Sequence, residues 1–154
     1  MNANSAIGLA QPNLLVAWTW ILLGFISGML MGLKFHQPDW LGGYASHKRR
    51  LYRLGHISFF GLGAVNLMFY FTVRGFPAST SLAIASGALI TGALTMPVCC
   101  LLMAHWPKLR PLFAVPVISL LLGAGLTIAR SRFIQPMLAS GTSVRRLPPT
   151  GTDP

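Results

Sequence analysis

Glutamate is absent from this chain, and aspartate occurs only twice, at Asp39 and Asp153. No carboxylate therefore falls inside an apolar run. Small four-helix exporters that exchange protons for cations need such an embedded acid, so that class fits poorly. Trimeric glutathione-type membrane transferases, with Glu among their buried residues, fit no better. Charge of either sign is scarce, because Asp, Glu, Lys and Arg make up 9% of 154 residues while 53% are hydrophobic. Soluble domains carry about 25% charged residues, so the composition indicates a membrane protein. Cysteine is limited to the adjacent pair Cys99 and Cys100. That excludes a disulfide framework and the C-x-x-C motif of membrane thiol oxidoreductases. No second copy of the small-residue and aromatic pattern of a fluoride channel occurs, and no nucleophile stands with a base. Neither a catalytic residue nor a metal site is expected.

What is present is a fourfold apolar pattern, which predicts an all-α integral membrane protein built as a four-transmembrane-helix bundle. Residues 1–13 read as a polar leader ending near Pro12, and 14–35 as the first span. Trp18 and Trp20, near its expected start, are assigned to the membrane interface. A long first loop, 36–55, is expected to be basic and interfacial. Ser46 is nevertheless a good helix cap, and a helix starting there would run through the basic stretch His47–Arg53 into the second span, 56–73. The third span is expected at 79–104, with a kink at Pro97, and the fourth at 112–129. Residues 130–154 are basic and then rich in Pro, Gly, Ser and Thr, which predicts a tail disordered from about Ser140.

Twelve Lys and Arg give a net charge of +10. They lie in the gaps between apolar runs, where anionic headgroups meet a membrane protein, so lipid and not nucleic acid is the expected partner. Lys34, Lys48, Arg49, Arg50, Arg53, Lys108 and Arg110 fall on one side of the membrane. Arg74, Arg130, Arg132, Arg145 and Arg146 fall on the other. Seven against five places both termini outside and the basic loops in the cytoplasm, with a bacterial inner membrane as the expected site.

Helix association in lipid relies on small residues and polar contacts. Gly24, Gly28 and Gly32 form G-x-x-x-G-x-x-x-G and predict a closely packed face on the first helix. Gly63 lies on the matching stripe of the second helix. Asn66 is expected to join helices by a hydrogen bond. Ala83, Gly87 and Ala88, with the Thr91, Thr95 and Cys99 face, are expected to pack the third helix.

Histidine carries the only chemistry left. His36 follows the first span, His56 opens the second and His105 closes the third, so all three fall at the basic face. Two neutral imidazoles on neighbouring helices are the usual ligands of a b-type haem, and Arg49, Arg50 or Arg53 would meet its propionates. The stretch from Gly55 through His56 to Gly61 resembles the haem-ligand helices of respiratory membrane cytochromes over those few residues alone. The expected function is a non-catalytic anchor or accessory subunit that packs against membrane-protein partners or a second copy of itself. The alternatives are a b-type haem-binding subunit in electron transfer and a small transporter or channel.

Overall fold

The computed structural model describes the backbone of residues 3–142 and the side chains of residues 7–132. Among these residues the chain is all helical. Helix α1 covers Ala3–Lys34, α2 His47–Val73, α3 Thr80–His105 and α4 Ala114–Thr142. Short 3-10 segments at Trp40–Gly42 and Pro107–Phe113 fill the first and third connections. All four helices are long and apolar enough to cross a membrane. At 1.5 Å per residue α1 rises about 48 Å, against a hydrocarbon core of about 30 Å.

Three expected boundaries are corrected. First, α1 starts at Ala3, and Pro12 lies inside it instead of ahead of it. A proline at position 12 removes the partner of the Gly8 carbonyl, but Gly8 and Pro12 are both exposed, so that group is accessible from outside the bundle. Ala10, fully buried among Phe69, Val73, Leu82, Ala85 and Leu89, anchors this extra length. Trp18 and Trp20 consequently sit near the middle of α1. Second, the long first loop is shortened from its C-terminal end, because α2 begins at His47, and only 35–46 remain between the helices. Ser46 caps α2, its hydroxyl oxygen accepting from the Arg49 backbone N–H at 3.1 Å. Third, the helix continues from Arg130 to Thr142, so the first part of the expected tail is helical. The remainder of that tail, 143–154, lies outside the described residues.

The helices pack in sequence, with α1 on α2, α2 on α3 and α3 on α4, while α1 also reaches α3. Helix α4 leans on α3 and leaves most of its own circumference open. Reciprocal insertion makes the α3–α4 contact: Leu120 fills the space beside Gly92, and Leu89 that beside Gly123. A Cβ on Gly92 would stand 2.5 Å from Leu120 Cγ, so these glycines set how near the two helices come. Gly87, expected to do this, meets nothing within 4 Å. Thr91 and Thr95 bond to carbonyls of their own helix.

Polar groups tie the first three helices together. Asn13 Nδ2 donates to Asn66 Oδ1 at 2.8 Å, Ser86 Oγ donates to Asn13 Oδ1, and Asn66 Nδ2 donates to the Leu62 carbonyl at 2.9 Å. Asn13, Asn66 and Ser86 are all buried, where an unpaired amide is costly, so each partner is needed. Trp20 supplies a further tie, its Nε1 donating to the Ala93 carbonyl at 3.1 Å.

Candidate functional site

The site is built where the first three helices meet the basic connections. A cavity of about 350 Å³ lies there, lined by Ser27, Leu30, Met31 and Lys34 of α1, by Tyr52, His56 and Phe59 of α2, by Pro97 and Leu101 of α3, and by Trp40 from above. Its walls are mostly apolar, and a few polar groups converge on it. A larger depression of about 500 Å³ near Arg132 is bounded by four α4 residues only and encloses nothing.

Helix α1 shapes the inner wall through its glycines. A Cβ on Gly24 would stand 2.8 Å from Phe60 Cζ, and one on Gly28 would stand 2.8 Å from His56 Cε1. The glycine stripe therefore seats two rings of α2, four residues apart on one face, instead of bringing two backbones together. Gly32 meets nothing within 4 Å. The close backbone approach occurs at Gly63, where a Cβ would lie 3.1 Å from the Ala17 carbonyl oxygen.

His56 is held on two sides. Phe60 stands edge-on to its ring at 5.5 Å, and Ser27 Oγ lies 3.0 Å from Nδ1. The single Ser27 hydroxyl hydrogen is directed at the Gly24 carbonyl, 3.0 Å away. The arrangement that satisfies every group has Nδ1–H of His56 donating to Ser27 Oγ, which leaves Nε2 as a free acceptor. At the mouth, Tyr52 and His105 share a hydrogen bond of 3.0 Å between the phenol oxygen and Nε2. This contact joins the start of α2 to the end of α3.

The roof is the first connection. Leu41 adopts φ 55°, and Gly42 and Gly43 follow at φ 84° and 86°, so three consecutive left-handed residues reverse the chain over the cavity. Ser46 steadies this reversal, because its hydroxyl donates to the Leu41 carbonyl at 2.6 Å while its oxygen caps α2. Arg49 holds the roof down. Its guanidinium is fully buried among the rings of Tyr44, Phe35 and Trp40, with carbon-to-centroid distances of 3.8, 4.6 and 5.4 Å. Nη2 donates to the Phe35 carbonyl at 3.3 Å, whereas Nε and Nη1 have no partner.

Of the haem contacts expected from sequence, only His56 lines the cavity. His105 is exposed and engaged with Tyr52, and His36 is exposed in the turn after α1. Arg49 is enclosed by aromatic rings, while Arg50 and Arg53 are exposed on α2. Among the described residues no group of three His, Cys, Asp or Glu side chains is placed to hold a metal ion. Sequence reasoning missed Ser27, Lys34, Trp40, Tyr52 and Pro97 as parts of one site. Tyr52 and His56 are separated by one helical turn, which was a readable signal; the return of Trp40 over α2 was not.

No family model matches the chain, and no curated protein and no solved structure is found to be similar to it.

Proposed function

We propose that this protein is a non-catalytic accessory subunit of a membrane complex that holds a small amphiphilic molecule in the cavity between α1, α2 and α3. One observation carries the reading: an apolar cavity of about 350 Å³ whose wall includes a fixed histidine, a tyrosine and a lysine. Cavities that bind small molecules have this make-up of apolar walls and a few placed polar groups, and start at about 300 Å³. The open faces of α1 and α4 give larger membrane partners room to pack. Positive charge concentrated on the α1–α2 and α3–α4 connections supports a cytoplasmic position for the cavity mouth, with both termini outside, in a bacterial inner membrane.

Extraction in native lipid particles, followed by mass analysis of co-eluting chains and small molecules, tests this. The reading predicts a stoichiometric small molecule that is lost in Leu101→Trp, which fills the cavity from a half-exposed position, together with at least one larger chain. An unaccompanied chain, with no small molecule retained, would refute it.

A second reading rests on the free Nε2 of His56: that the molecule is a b-type haem with His56 as an axial ligand. His105 would then have to release Tyr52, or His36 leave its exposed turn, to supply the other side. A reduced-minus-oxidised spectrum of the purified protein decides it, since a Soret band abolished by His56→Ala is required.

A further inference from the structure

We infer that the ligand of the α1–α2–α3 cavity is a single-chain amphiphile with an acidic head, the head paired with Lys34 and the chain lying between Leu30, Met31, Phe59 and Leu101. This deepens the proposed function and rests on it.

Size points to one chain. At about 350 Å³ the cavity is near the lower limit for small-molecule sites, which suits one acyl or prenyl chain and not a two-chain phospholipid. Charge points to an acid. The only charged residue on the wall is Lys34, the last residue of α1. Lys48, Arg50, Arg53, Lys108 and Arg110 are exposed on the same face, while the single carboxylate among the described residues, Asp39, is exposed in the loop. A cationic head entering here would meet uncompensated repulsion, and an anionic head would be drawn in from the surface. Trp40, also on the wall, carries an indole N–H that can only donate, which suits an acid.

Trp40 lines the site and makes it observable. Chain-brominated amphiphiles quench nearby tryptophan, so purified protein in zwitterionic nanodiscs is titrated with a brominated fatty carboxylate, the matching single-chain phosphate and the matching neutral alcohol. Saturable quenching by an acidic head, absent in Trp40→Phe and shifted at least tenfold to higher concentration in Lys34→Met, is the expected result. Comparison of carboxylate with phosphate then identifies the source of the acid. Equal saturable quenching by the alcohol, unmoved by Lys34→Met, would overturn the acidic-head inference and leave the cavity reading standing. Quenching that rises linearly for all three probes would overturn both.

Discussion

Trp20 donates its indole N–H to the carbonyl of Ala93, the carbonyl that Pro97 leaves without an intrahelical partner. A residue at position 97 with a backbone N–H would bond to position 93, and proline has none. Trp20 therefore fills on α1 a vacancy created on α3. Pro116, third in α4, likewise has no N–H to donate, and Cys99 Sγ lies 3.6 Å from the Leu112 carbonyl, which also accepts from the Ala114 backbone N–H.

The first prediction is a coupling between Trp20 and Pro97. Trp20→Phe leaves the Ala93 carbonyl bare inside the bundle, at a cost of about 1–3 kcal/mol beyond the lost ring volume. In a Pro97→Ala background the new N–H satisfies that carbonyl, and the same change should cost about 1 kcal/mol less. Unfolding free energies of the four variants in mixed micelles check this, and strict additivity would contradict it.

Glycines of α1 should respond unequally to alanine. Gly24→Ala and Gly28→Ala force Phe60 and His56 off their seats and are expected to destabilise by about 1–3 kcal/mol. Gly32→Ala meets nothing and should be neutral or stabilising by up to about 1 kcal/mol, because alanine is the better helix former. Thermal unfolding of the three variants side by side is the measurement, and equal losses would contradict the ring-seat role.

The amide network should behave as a unit. Asn66→Leu removes the acceptor of Asn13, and Asn13→Leu removes the donor to Asn66 and the acceptor of Ser86. Each single change is expected to cost about 1–2 kcal/mol, and the double change less than their sum, since fewer buried groups are left unpaired. A double-mutant cycle reads the difference directly.

Arg49 fastens the roof by stacking and not by charge pairing, so lysine should not replace it. A compact ammonium cannot cover three rings as a planar guanidinium does. Arg49→Lys is expected to red-shift Trp40 emission and speed proteolysis within 35–46, at a cost of about 1–2 kcal/mol. Unchanged emission and protease resistance would contradict the fastening role.

Helix number and type were legible because four apolar runs separated by basic residues admit few alternatives. Boundaries were less so. Pro12 marked a start by local rule, yet tertiary contacts of Ala10 and Asn13 carry α1 past it. Ser46, by contrast, announced the true start of α2 by residue type alone. The histidines were legible as a group on one face, but which of them faces inward depends on the glycine seats and on where α1 ends. With α1 ending at Lys34, two residues short of His36, that residue falls in an exposed turn. The cage around Arg49 was hidden because it depends on the left-handed turn at Leu41, Gly42 and Gly43, a conformation that leucine rarely adopts.

Photolabelling in the membrane tests the central claim most directly. An amphiphile with an acidic head and a diazirine on its chain, irradiated with the protein in nanodiscs, is followed by peptide mapping. Binding in the cavity predicts label concentrated at Leu30, Met31, Phe59 and Leu101 and competed away by unlabelled amphiphile. Label spread over outward residues such as Leu22, Phe25 and Leu121, insensitive to competitor, would contradict the account.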